Sequence, residues 1–229
     1  MAKPTPVFTR EAFRFLKKLG RNNNKAWMDA NRERYKSSIV QPFRHLLEEL
    51  SNDVPKLDSR FDVSGRTGPN FSRINRDIRF ARDKTPYKTK MYLKFSVPVP
   101  DNGETGQLYV GLSADTVTAG FRIYSGGKRK ESVLALIGQV RVQANHAWVS
   151  KQKKRLSRRY ESYWYTTEKG EWTKHSGWPA DAENWNKLLA WIVRRKFSPA
   201  AALRSSFPRE TAKIFRDLYP LLRYTSLPK

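Results

Sequence analysis

The amino-acid sequence predicts an α+β fold with N-terminal helices, a central and mainly antiparallel β-sheet, and C-terminal helices packed on that sheet. Apolar residues recur at helical spacing before residue 54, alternate with polar residues between 70 and 124, and return to helical spacing after 128. The connections between the predicted strands are too short for helical crossovers, so we expect an antiparallel meander.

The helical N-terminal part covers residues 8–54. Thr9 is the expected N-cap of the first helix, and Gly20 is expected to end it. Asn24 is expected to cap a second helix from Lys25, because its side-chain oxygen can accept a free backbone N–H. Pro42 either interrupts that helix or opens a third one.

The sheet is predicted within residues 70–124. Residues 71–80 show partial alternation of apolar and polar side chains, and residues 91–97 alternate regularly. Residues 108–112 and 117–124 predict two further strands.

The C-terminal part, residues 128–224, is predicted to be helical and rich in aromatic residues, and no linker or repeat divides it from the rest. We therefore expect a single domain over residues 1–229. The expected elements are a helix over 128–143, a β-ribbon made of 163–167 and 171–174, a helix carrying Trp185, Leu188, Leu189 and Ile192, and a final helix from Pro208.

Positive charge is abundant and unevenly placed. The 229 residues include 45 Lys and Arg against 21 Asp and Glu, a net charge of +24. Residues 66–94 hold nine basic and two acidic residues, and residues 121–159 hold eleven and one, so 17 of the 24 net charges lie there. A polyanionic partner would relieve the self-repulsion. The alternative explanation of the high net charge is a proteome that is basic throughout, but the clustering of the charge in two segments favours a binding surface.

Composition also excludes several classes of site. The chain has no cysteine, which excludes disulfides, thiolate catalysis and Cys-based metal sites. The three histidines are far apart and the nucleotide-binding glycine patterns are absent, so we expect no metal and no cofactor. The start of the chain lacks a signal peptide's apolar stretch and no run approaches a membrane span, so we expect a cytoplasmic protein without a membrane partner.

The segment from Arg73 to Thr89 is the densest in chemically active side chains. On a strand Asn75, Asp77 and Arg79 would share one face, because side chains alternate. The guanidinium groups could donate paired hydrogen bonds to a phosphate or a carboxylate. The alternative is a lattice of ion pairs on a solvent-facing strand. The predicted anion-binding residues are Arg73, Arg76, Asp77, Arg79, Asp83, Lys84, Tyr87 and Lys88.

Two runs in this segment, Arg76–Phe80 and Asp83–Thr89, together with Phe15-Leu16, Asn23-Asn24 and Trp27, carry a resemblance to a known family. The chain resembles the domain-of-unknown-function 2461 family from about Phe8 to Tyr124, and more weakly through its C-terminal half. The resemblance implies an uncharacterised family with no established activity. Residues 146–178 depart from the family's usual pattern, since they are unusually basic and rich in tryptophan.

Asn23, Asn24 and Trp27 are candidates to line a pocket beside the anion-binding residues. The structural alternative is favoured, with Asn24 as a helix cap and Trp27 as a core anchor. Residues 125–128 (Ser-Gly-Gly-Lys) precede a predicted helix, where free N–H groups would attract an anion, although a plain turn is the more common structure.

Basic and aromatic residues are interleaved from 148 to 165, a pattern that suits single-stranded nucleic acid because bases stack on rings while phosphates pair with cations. Solvated charges and core tryptophans are the alternative. The predicted nucleic-acid-binding residues are Lys151, Lys153, Lys154, Arg155, Arg158, Arg159 and Trp164.

Together these patterns predict a protein that binds a polyanion such as nucleic acid through a basic surface and holds a specific anion site at Arg73–Thr89. One alternative is an enzyme acting on a phosphorylated or carboxylated small molecule in that site. Another is a scaffold that docks on acidic proteins. The sequence identifies no reaction and no oligomeric state.

Overall fold

The computed structural model of the protein describes residues 5–97, 106–124, 146–168, 171–179 and 182–225. The chain divides into two compact units, and the single domain over residues 1–229 stays a prediction. Unit 1 comprises Met1–Phe95, Tyr109–Ala119 and Lys196–Lys213, and unit 2 comprises Ser96–Leu108, Gly120–Arg195 and Ile214–Lys229.

Helices form the N-terminal part, as predicted. They are α1 (Arg10–Arg21), α2 (Lys25–Ala30), α3 (Arg32–Tyr35), the π-helical turn π1 (Lys36–Val40), α4 (Gln41–Ser51) and α5 (Val54–Leu57).

The predicted helix boundaries are mostly correct. Asn24 caps α2, since its side chain accepts the backbone N–H of Trp27 at 2.9 Å. Thr9 holds the N-cap position of α1, but its side chain makes no capping hydrogen bond. Gly20 does not end α1, which continues to Arg21. Pro42 lies in the first turn of α4, which continues directly from π1.

Six strands form one antiparallel sheet in the order β1-β2-β3-β6-β4-β5. The first three are neighbours in chain order, so the predicted meander is confirmed, and β4 and β5 form the predicted ribbon. The strands are β1 (Met91–Ser96), β2 (Gln107–Leu112), β3 (Val117–Tyr124), β4 (Glu161–Glu168), β5 (Glu171–Ser176) and β6 (Ala190–Phe197).

Residues 71–80 do not form the predicted strand, and make only isolated bridges to other segments. The carboxylate of Asp77 accepts both the backbone N–H and the guanidinium of Arg79, a local turn that competes with strand pairing. Phe80 is 95% exposed while Ile74 is buried, so the apolar residues of this segment do not share one core-facing side.

The remaining helices are α6 (His146–Leu156), α7 (Ala182–Asn186), α8 (Pro199–Ala202) and α9 (Phe207–Thr225). The final helix is confirmed, but the helix predicted over Trp185–Ile192 is wrong, because the chain leaves α7 at Asn186 and enters β6 at Ala190. Trp191, Ile192 and Val193 are all buried, and a short apolar run buried on both faces cannot be told from a helix by periodicity. The helix predicted over 128–143 and the turn at residues 125–128 lie outside the described residues.

Each unit has an aromatic core. In unit 1, Phe8 packs edge-on against Phe43 and Phe207, with ring centroids 5.4 and 5.8 Å away. In unit 2, Trp191 contacts Phe121 and Trp185 at 5.5 and 5.4 Å. Edge-to-face pairs at these distances are favourable beyond the area that they bury.

Candidate nucleic-acid interface

Residues 73–89, which we call the basic loop, form a closed hairpin-like excursion in unit 1. Asn75 and Tyr87 make an antiparallel bridge, beside which Arg76 N donates to Pro86 O and Lys88 N donates to Ile74 O, both at 2.8 Å. These bonds fix the two ends of the loop next to each other and leave its middle, residues 77–85, to project from them.

The side chain of Asn23 fastens the basic loop to the helical part of unit 1. Its Nδ2 donates to the carbonyl of Tyr87 at 2.9 Å, and its Oδ1 accepts the backbone N–H of Tyr87 at 3.0 Å. The side-chain amide of Asn23 thus pairs with both the N–H and the C=O of Tyr87, as the backbone of a neighbouring strand would. Asn24 is occupied as the α2 cap and Trp27 packs 5.5 Å from Phe15. The three predicted pocket-lining residues therefore have structural contacts, and the Asn24 side chain is exposed.

The carboxylates of the basic loop neutralise two of its arginines. Asp77 and Arg79 form a bidentate pair at 3.0 and 2.7 Å. Arg76, which is mostly buried, donates to both Asp83 and Thr85. The backbone N–H of Thr85 and the guanidinium of Arg76 lower the pKa of Asp83 to about 2. This part of the predicted anion site is thus internally satisfied, as the ion-pair alternative expected.

Three other cations of the basic loop are not neutralised by its carboxylates. Among the described residues, no carboxylate lies within ion-pair distance of Arg73, Arg82 or Lys88. Lys84 caps the backbone, donating to the carbonyls of Ile78 and Arg79 at 3.1 and 3.4 Å. The loop therefore presents cations together with the exposed ring of Phe80.

The basic helix α6 is only partly neutralised. Asp217 accepts from Arg159 at 2.8 Å and from the Tyr160 hydroxyl at 2.7 Å, and it lies 3.9 Å from Arg155. Burial and this carboxylate raise the pKa of Tyr160. The four other predicted cations are exposed and have no carboxylate partner within the described residues: Lys151, Lys153, Lys154 and Arg158.

Trp164, the aromatic residue predicted to contact nucleic acid, is only 8% exposed. Its ring stacks on His175 at 4.1 Å, and His175 in turn hydrogen-bonds the Thr166 hydroxyl at 2.7 Å. The indole is therefore not accessible to a base in this structure.

The opposite side of the ribbon carries two half-buried tyrosine rings and one exposed tryptophan ring. Tyr165 lies between Tyr163 and Trp172, with centroids 5.9 and 5.7 Å away, and Trp172 is 54% exposed. The Lys174 ammonium and the Arg194 guanidinium lie 4.3 and 4.8 Å from the Tyr163 ring. We call these five residues the aromatic face.

The sequence did contain a signal for this face. Side chains of a strand alternate between its two sides, so Tyr163 and Tyr165 must point away from Trp164. The ribbon register pairs Tyr165 with Lys174 and Thr167 with Trp172, which brings the tryptophan and the lysine to the same side.

Comparison with known protein families matches residues 11–224 to a family described as a conserved hypothetical protein (DUF2461). The chain belongs to the DUF2461 family. The DUF2461 match includes Asn23, the whole basic loop, α6 and the aromatic face. The comparison with curated proteins gave no match.

Two further features bear on the site. In the part of the chain that the structure describes, no three His, Asp or Glu side chains are grouped so that they could hold a metal ion. No helix in the same residues combines the length and apolarity needed to cross a membrane.

Proposed function

We propose that the protein binds single-stranded nucleic acid, with bases stacking on the aromatic face and phosphates contacting the exposed cations. The observation that carries the proposal is the row of Tyr163, Tyr165 and Trp172 with two cations beside it. Every base has a π-face, so such a row binds single strands with little regard to sequence.

The second support is the charge that remains unpaired in α6. Lysine and arginine side chains without carboxylate partners attract phosphates and release the counterions condensed on them. Four such cations lie in unit 2 with the aromatic face, at Lys151, Lys153, Lys154 and Arg158. An acidic protein partner would need these cations but not the row of rings, so the rings favour nucleic acid over protein.

The basic loop is proposed as a separate anion site in unit 1. Arg73, Arg82 and Lys88 would hold phosphate groups, while Arg76 and Arg79 keep the loop in shape through their aspartate partners. Phe80 would offer one further ring for stacking.

Fluorescence anisotropy with a labelled 20-mer of thymidine or uridine tests the proposal. Trp172→Ala should weaken binding about five- to a hundred-fold, because each stacked base contributes roughly 1–3 kcal/mol. Trp172→Phe is the matched control, since it keeps a ring, and should retain most of the affinity.

The salt dependence provides an independent measurement. Each phosphate contact removed should reduce the slope of log K against log salt by about 0.7. Lys153→Gln should show that change, and Lys17→Gln, an exposed cation on α1, should leave the slope unaltered. Absence of binding at 50 mM salt, or equal affinities for Trp172→Ala and the unaltered protein, would overturn the proposal.

A further inference from the structure

Unit 1 contains a cleft of about 250 Å³ that shares Arg73 with the basic loop but whose apolar walls the nucleic-acid proposal does not use. It lies between π1 and α4 on one side and residues 67–75 with β1 on the other. Its walls are largely apolar, and four of the side chains that line it are buried: Ile39, Phe43, Ile74 and Met91.

Two arginines also line this cleft. Arg44 lies over the Phe71 ring, with its guanidinium carbon 5.7 Å from the centroid. Arg73 reaches the cleft from the basic loop. Within the described residues neither guanidinium has a carboxylate within ion-pair distance, so both guanidinium groups can donate hydrogen bonds to an external anion.

Uncharged hydrogen-bonding groups lie beside the arginines. Tyr35, Thr67 and Asn75 line the cleft, and their side chains make no hydrogen bond to any described residue. Burial raises the pKa of Tyr35, which keeps the phenol protonated and able to donate. A ligand with an anionic head would therefore meet charged and neutral donors together.

An irregular helical turn borders the cleft. Residues 36–40 form a π-helical turn, a wider and rarer helix that is frequent at functional sites. Ile39 and Val40, both in this turn, line the cleft.

We propose that the cleft binds a small organic anion, with its carboxylate or phosphate held by Arg44 and Arg73 and its apolar body against Ile39, Phe43 and Met91. A volume of about 250 Å³ lies below the roughly 300–1,000 Å³ of drug-sized sites, so the body is one or two rings or an equivalent aliphatic group. This is a site distinct from the aromatic face.

Isothermal titration calorimetry with the full chain tests the site, using 1-naphthyl phosphate and 1-naphthoate as probes. At least one should bind saturably, and inorganic phosphate and 1-naphthol, which each lack one half of the ligand, should bind at least tenfold more weakly. Arg44→Gln and Arg73→Gln should each weaken the probe about ten- to a hundred-fold, because each removes charge-assisted hydrogen bonds. Arg14→Gln, an exposed arginine of α1 that does not line the cleft, is the matched control and should bind as the unaltered protein does.

Retained thermal unfolding midpoints would show that the variants fold. The proposal is overturned if neither probe binds, if inorganic phosphate binds as tightly as naphthyl phosphate, or if Arg44→Gln and Arg73→Gln leave the probe affinity unchanged. Because the cleft and the aromatic face belong to different units, Trp172→Ala provides a separate readout, and its effect on the oligonucleotide does not depend on the probes.

Discussion

Replacing each of the consecutive asparagines Asn22, Asn23 and Asn24 by alanine should lower the free energy of unfolding by clearly different amounts. Replacing Asn23 by alanine removes two hydrogen bonds to the backbone of Tyr87, at 2.9 and 3.0 Å. Tyr87 is only 7% exposed, so water replaces those partners poorly. At about 1 kcal/mol for each bond, the free energy of unfolding should fall by about 2 kcal/mol.

The two neighbours are matched controls. Asn24→Ala removes the α2 cap and should cost about 1 kcal/mol. Asn22 is exposed and donates to the carbonyl of Lys18 at the end of α1, a bond that water can replace, so Asn22→Ala should stay within about 0.5 kcal/mol. Asn23→Asp should not rescue the loss, because it keeps the acceptor but sets a carboxylate against the Tyr87 carbonyl.

Urea unfolding followed by far-ultraviolet circular dichroism gives the three free energies. Amide hydrogen exchange then locates the effect, since exchange at Tyr87 should accelerate in Asn23→Ala and stay protected in Asn22→Ala. Equal costs for Asn22→Ala and Asn23→Ala would refute the reasoning, as would unchanged exchange at Tyr87. Either result would mean that the amide of Asn23 does not fasten the basic loop.

Gly120→Ala should lower the free energy of unfolding in the urea assay by at least about 3 kcal/mol, because the new Cβ would collide with the backbone carbonyl of Val193. Gly20→Ala meets ordinary contacts and should raise that free energy by about 0.5–1 kcal/mol. Asp83 has a pKa of about 2 in the folded chain against an ordinary 3.8, so its contribution to stability is present above pH 4 and is lost as pH falls toward 2. NMR titration of the Asp83 carboxyl should give that pKa, and the free energy of unfolding of Asp83→Asn should fall less between pH 4 and 2 than that of the unaltered protein. Tyr160 has a pKa raised above its ordinary 10, so stability should fall as pH rises beyond 10, and Tyr160→Phe should lose that dependence in alkaline unfolding measurements.

Local patterns predicted most of the fold. The strand over residues 91–97 alternates because one side faces a core, and the Asn24 cap is a bond between residues three apart. Both patterns are visible in residues that lie close together in the sequence. The prediction for residues 190–197 failed because a distant partner decides there, since this apolar run became β6 by pairing with β4.

Some features of the candidate site were likewise set by the sequence and others by the fold. The sequence alone determined where the charge is concentrated, that acids and arginines alternate in the basic loop, and that rings follow the α6 cations, because composition and spacing are properties of the chain. Only the tertiary structure decided that Asp77 and Asp83 neutralise Arg79 and Arg76. It also decided that Trp172 is exposed while Trp164 is buried. The physical reason is that an ion pair, an exposed ring or a cleft depends on interatomic distances and on exposure to solvent, and both are defined only once the chain has folded.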